Sequence, residues 1–200
     1  MCLNGTIFTL SFELSDAPCK PTAPQRVRAW LYMHRNDIRR SAKRFSVSAT
    51  AVGGTIAYEA LADVHFSSVF GLTRSIGPGK VHYKAGYFQE GLPVAKQVEE
   101  LGYVPQKNVS GRIATLRTAS GSTTYIAAIM RSFADVVRRA DNLNIGCNDA
   151  LLITLYTGYD LKQAPIVALQ PDSVESPGAL WLRDQGRFVY SVLPRDVACS

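Results

Sequence analysis

Ala49-Thr-Ala-Val-Gly-Gly-Thr-Ile-Ala-Tyr-Glu-Ala-Leu-Ala62 carries one charged side chain, Glu59. Val52, Ile56 and Glu59 stand at i, i+4 and i+7, so they share one face of a helix. That spacing predicts a helix from Ala49 to about Ala62. Because it is apolar all round, the helix belongs in the core of a mainly α fold. The Glu59 carboxyl then leaves the helix among core residues. Burial disfavours a carboxylate's charge and lets it keep its proton to higher pH, as a general acid requires. Two other readings of Glu59 stay open: the exposed end of a core helix, or a buried ion pair with an arginine. Gly53-Gly54 costs a helix about 1–2 kcal/mol relative to alanine and points to close approach by another segment.

On the N-terminal side, Thr22 and Pro24 predict the start of one long helix running to about Phe45. Val27, Leu31, His34, Ile38 and Phe45 form its apolar stripe, and Arg28, Arg35, Arg39 and Lys43 a basic one. Ser46-Val-Ser48 breaks the chain and caps the helix that follows. On the C-terminal side a Gly- and Ser-rich loop spans 66–79, and residues 80–101 read as helix interrupted near Gly91-Leu-Pro93. Ser110 is expected to cap a short helix to Thr118, and Ser120-Gly-Ser-Thr to open a long one through Ala140. Asn148 caps a further helix, Asp149 to about Tyr159. The two ends read differently. Phe8, Leu10, Phe12 and Leu14 alternate as in a strand over 5–14, and residues 179–193 read as a hairpin turning at Gly186. The expected organisation is one domain over 1–200, a helical body over 24–160, and a small antiparallel β appendage from 5–14 and 179–193.

Composition narrows the class. The 200 residues are 46% hydrophobic and 19% charged, which excludes disordered and collagen-like chains. The longest run without a charge or proline, Phe45 to Tyr58, is 14 residues, whereas a bilayer span needs about 20. No membrane span is expected, and Met-Cys-Leu-Asn-Gly lacks the basic flank of a secretory signal. A net charge of +6 favours anionic partners. The 4 cysteines, Cys2, Cys19, Cys147 and Cys199, have no C-x-x-C spacing, so structural zinc is disfavoured. Their even count permits a disulfide in an oxidising compartment and equally permits buried thiols in the cytosol.

Few other motifs carry chemistry. Ser75-Ile-Gly-Pro-Gly-Lys80 can present backbone N–H groups and a hydroxyl to a ligand oxygen, but it lacks the spacing of a phosphate loop. His34 reads as a core residue. His65 and His82 form no H-E-x-x-H or H-x-x-x-H pair, so neither a metal nor another cofactor is expected. No G-x-S-x-G elbow is present, and Cys147 reads as structural. Arg26 to Arg44 holds seven Lys or Arg against one Asp. Such a run is a solvated helix face or a surface for an anionic polymer; aromatics are not interleaved as single-strand binding requires.

Three features in order carry a resemblance. They are Glu59 ending an alanine-rich helix with the Ser75-Ile-Gly-Pro-Gly-Lys80 loop about 15 residues on, the approach Ala42-Lys-Arg-Phe-Ser-Val-Ser-Ala-Thr-Ala-Val52, and Asn148-Asp-Ala-Leu-Leu-Ile-Thr-Leu-Tyr-Thr-Gly158. Over residues 38 to 160 the chain resembles the lysozyme-like superfamily, in particular soluble lytic transglycosylases and goose-type lysozymes. Those families have a catalytic Glu ending a buried helix, a Ser-x-Gly-x-x-Gln motif, and a late Ala-Tyr-Asn-Ala-Gly-type helix. The chain departs from them at Lys80 (Gln in the family), Ala60 (often Ser) and Thr157 (Asn).

The resemblance implies a lysozyme-like helical domain that cleaves the β-1,4 bond between N-acetylmuramic acid and N-acetylglucosamine in peptidoglycan. Glu59 would protonate the leaving oxygen, with Asp63 as the candidate second carboxylate. Ser75, Gly77, Lys80 and Tyr156 would bind substrate or orient the acid. A hydrolase needs its second carboxylate about 5–5.5 Å away as nucleophile, or about 6.5–9.5 Å away to activate water. A lytic transglycosylase needs neither. The resemblance also suggests an antibacterial effector, made in the cytoplasm, acting in the periplasm or on the wall after export or injection, and neutralised by an immunity protein. The competing class is a non-catalytic basic module for cell wall or nucleic acid, of which nucleic acid is the less favoured partner.

Overall fold

The structure, a computed structural model, describes residues 22–61, 93–116, 118–170 and 176–194. Ten α-helices occupy these residues, and no strand is among them. They are α1 (Ala23–Met33), α2 (Arg35–Phe45), α3 (Ala49–Leu61), α4 (Pro93–Glu100), α5 (Val109–Leu116), α6 (Ala119–Asp141), α7 (Asp149–Gly158), α8 (Ala164–Ala168), α9 (Pro177–Asp184) and α10 (Phe188–Val192). The fold is mainly α, as the sequence predicts. The expected strand over 5–14, the loop over 66–79 and the helix over 80–92 lie outside the described residues.

Local chemistry sets most boundaries. Thr22 and Gln25 form a capping box: the Thr22 hydroxyl accepts from Gln25 N at 3.4 Å and Gln25 Oε1 accepts from Thr22 N at 2.7 Å. The long helix expected from Pro24 to Phe45 is in fact two. The break falls at His34 (φ −104°, ψ 12°), whose ring lies 4.5 Å from that of Trp30 and 3.6 Å from the Asp37 carboxylate. The bend lets α1 pack on α3 and α10 while α2 packs on α6 and α3. A straight helix would serve only one of these surfaces. Ser46 ends α2 in the left-handed conformation (φ 51°), and the Ser48 hydroxyl caps α3 by accepting from Ala51 N at 3.2 Å.

The helix at the centre is α3. It touches α1, α2, α6, α7, α9 and α10, and residues 49–57 are buried without exception. The glycine pair explains how so many neighbours fit. A Cβ on Gly53 would collide with Leu193 Cδ1, and one on Gly54 would lie 3.2 Å from both Ile153 and Leu182. Thr50 adds a hydroxyl donated to Leu193 O at 2.9 Å.

Two further expectations are corrected. Asn108, rather than Ser110, caps α5, its Oδ1 accepting from Gly111 N at 2.8 Å; the helix therefore starts earlier, at Val109. The hairpin and β appendage expected over 179–193 are instead helices α9 and α10. Ser176 caps α9 by accepting from Ala179 N at 3.2 Å, and Pro177 occupies its first turn. Ala179-Leu-Trp-Leu182 is apolar throughout, so over four residues it fits either period. The cap decides for helix, and Ala179, Leu182, Val189 and Val192 face the core at helical spacing. Asn148 caps α7 as expected, its Oδ1 accepting from Leu151 N at 3.0 Å. No helix among the described residues is long and apolar enough to cross a membrane.

Candidate active site

Glu59 sits in the last turn of α3, 9% exposed, two residues before the described segment ends at Leu61. It is not at an exposed helix end. Its side of α3 also carries Thr55, one turn back and fully buried. Tyr156 comes from the last turn of α7, which buried Leu151, Leu152, Ile153 and Leu155 hold in the core. Burial and then the Glu59 charge push the Tyr156 hydroxyl well above its ordinary value, so the two groups lie within electrostatic reach. A phenol in that position stays protonated through the physiological range and keeps its O–H as a donor.

Sequence reasoning missed a second tyrosine. The Tyr58 hydroxyl is also raised, first by burial and then by Glu59. Its ring lies 6.0 Å from that of Trp181 in α9, tilted by 60°, and Trp181 meets Phe188 of α10 edge-on at 6.3 Å. Gly178 makes room for this packing, since a Cβ there would stand 3.3 Å from Tyr58 Cδ1 and 2.9 Å from Ile153 Cγ2. The segment expected to form a hairpin thus supplies the aromatic support behind the residue preceding Glu59. The available signal was the Ser176-Pro177 helix start.

Of the expected site residues, Glu59 and Tyr156 lie within electrostatic reach of each other. Asp63, Ser75, Gly77 and Lys80 lie outside the described residues. Cys147 is in a disulfide, consistent with a structural role, and the other three cysteines lie outside the described residues. A cavity of about 870 Å³ opens elsewhere, between the start of α7 and α9–α10; Asn148, Asp149, Arg183, Arg187 and Tyr190 are on its wall, and neither Glu59 nor Tyr156 lines it. Among the described residues no group of three or more His, Cys, Asp or Glu side chains is placed to hold a metal.

A second buried carboxylate, Glu99 of α4, went unread in the sequence. Glu99 is 2% exposed and Arg112 of α5 is 3% exposed. Arg112 Nε donates to Glu99 Oε1 at 2.9 Å and Nη2 to Oε2 at 2.7 Å; Lys107 N donates to Oε2 at 3.0 Å. The Tyr125 hydroxyl of α6 donates to Oε1. Burial pushes the Glu99 carboxyl up, but these hydrogen bonds and the Arg112 charge together hold it below its ordinary value. Glu99 is therefore a charged strut joining α4, α5 and α6, unsuited to giving up a proton near neutral pH.

No family model matches the chain, and neither the curated proteins nor the solved structures yield a match.

Proposed function

We propose that the chain cleaves peptidoglycan glycan strands at the bond between N-acetylmuramic acid and N-acetylglucosamine, on a lysozyme-like helical body, with Glu59 as general acid. The observation that carries this reading is a carboxyl almost wholly sheltered at the end of an apolar helix, with the Tyr156 hydroxyl of a late helix within its electrostatic reach. The sequence order that resembles lytic transglycosylases and goose-type lysozymes supports the same reading. Glu59 gives its proton to the glycosidic oxygen as the C1–O bond breaks. Water, activated or preceded by Asp63, completes a hydrolysis; in a transglycosylase a hydroxyl of the substrate itself traps the cation and leaves an anhydro sugar. In this reading Ser75, Gly77 and Lys80 contact the sugar. A role as an antibacterial effector paired with an immunity protein follows from the same resemblance.

The second reading is a wall-binding module without catalysis, favoured by Lys80 and Thr157 standing where the family has Gln and Asn. Digestion of purified sacculi, followed by mass spectrometry of the soluble products, separates the two. Anhydro-muropeptides identify a transglycosylase and reducing ends a muramidase. Binding without soluble product identifies the module.

A further inference from the structure

We infer that the outer face of α2 is an attachment surface for the free carboxylates of the peptidoglycan stem peptides, separate from the Glu59 carboxyl and resting on the substrate reading above. The charge is concentrated there. Residues 22–46 hold seven Lys or Arg and one Asp, a surplus equal to the +6 of the whole chain. In α2, Ile38, Ser41, Ala42 and Phe45 are buried against α6 and α3. The remaining circumference carries Arg35, Arg39 and Lys43 at one-turn intervals, with Arg40 and Arg44 beside them. Eleven residues span about 16 Å, so five cations crowd three turns.

Among the described residues little neutralises them. Arg40 pairs with Asp37 at 2.6 Å. No carboxylate among the described residues pairs with Arg28, Arg35, Arg39, Lys43 or Arg44. Two of the guanidinium groups are held by rings: Arg35 lies 4.1 Å over Tyr32 and also donates to Tyr32 O at 2.8 Å, and Arg44 lies 5.1 Å over Phe45. Like charges one turn apart repel, and an anionic polymer laid along the face relieves that repulsion.

The surroundings select the polymer. The apolar stripe of α2 is used in the core, so α2 itself has no apolar face to enter a lipid interface; the exposed apolar side chains nearby are the two at the end of α1, Tyr32 and Met33. Base stacking needs several open rings among the cations; on α2 itself Phe45 is buried, and Tyr32, at the end of α1, is exposed but carries the Arg35 guanidinium over one face of its ring. What remains is a row of cations in which exposed Lys43 and Arg44 have no carboxylate partner among the described residues, and a guanidinium matches a carboxylate in paired hydrogen bonds.

The test is co-sedimentation of the full chain with purified sacculi, using Glu59→Gln so that the polymer is not consumed. Binding is expected at low salt and should fall as salt shortens the screening length. Arg40→Gln/Lys43→Gln/Arg44→Gln in the same background is expected to weaken it about ten-fold or more. The unaltered face is expected to lose binding equally to sacculi whose carboxylates have been amidated, which removes any dependence on how the triple variant folds. Unchanged binding after either treatment overturns the inference. Displacement by duplex DNA at equal charge, through the same three residues, overturns it in favour of nucleic acid. Face-dependent binding with no cleavage by the unmodified chain leaves the attachment standing and removes the catalytic reading. Cleavage with face-independent binding does the reverse.

Discussion

The Tyr156 hydroxyl, in the last turn of α7, lies in the field of the Glu59 carboxylate at the end of α3. Two residues more than 90 positions apart in the chain thus come within electrostatic reach of each other. The phenol keeps its proton, because burial and the nearby carboxylate charge both disfavour the phenolate.

Tyr156→Phe removes the hydroxyl and keeps the ring. The rate at the optimum should fall about ten-fold. Digestion of sacculi by the two proteins measures the change. An unchanged rate makes Tyr156 a packing residue.

The Glu99–Arg112 pair should dominate stability without touching activity at the optimum. Arg112→Met leaves the Glu99 charge buried and should cost about 3–5 kcal/mol, whereas Glu99→Gln/Arg112→Met should cost much less than the sum of the single changes. Urea unfolding measures each. The sign with pH follows from the lowered Glu99 carboxyl. As pH falls the unfolded chain takes up that proton first. The stability Glu99 contributes is therefore complete above its ordinary range, about pH 4–5, and is lost as pH falls through the lower folded value. Glu99→Gln should flatten this acid limb.

Gly53→Ala improves helix propensity yet should destabilise the protein by about 1–3 kcal/mol. The new methyl would collide with Leu193 Cδ1. Leu193→Ala in the same chain should recover part of the loss, and thermal unfolding of the double variant checks the coupling. Additive losses would mean that the contact does not govern α3 packing.

Ser176→Ala should cost about 1 kcal/mol, the ordinary value of a lost N-cap, because the Ser176 hydroxyl accepts from Ala179 N in the first turn of α9. A hairpin over 179–193 would be indifferent to this change. Denaturant titration separates the two.

What could be read in advance was what depends on near neighbours. The caps at Thr22, Ser48 and Asn148 each rest on a bond three residues long, and the burial of α3 follows from fourteen residues with one charge. Glu59 and Tyr156 were legible for the same reason, each standing at the end of a recognisable helix. The break at His34 was not, because a continuous apolar stripe gives no hint that α1 and α2 face different partners. Glu99 and Arg112 are thirteen residues apart in unremarkable surroundings, and only the meeting of α4, α5 and α6 pairs them. Tyr58 gained its place through Trp181, in a segment whose short apolar run suits two periods.

The central claim is that the Glu59 carboxyl delivers the proton. Wild type and Glu59→Gln, both shown folded by circular dichroism, are incubated with purified sacculi and the soluble muropeptides are quantified. The account predicts release by wild type and a loss of about 10²–10⁴-fold in Glu59→Gln. Equal release by the two proteins, or none by wild type, would contradict it.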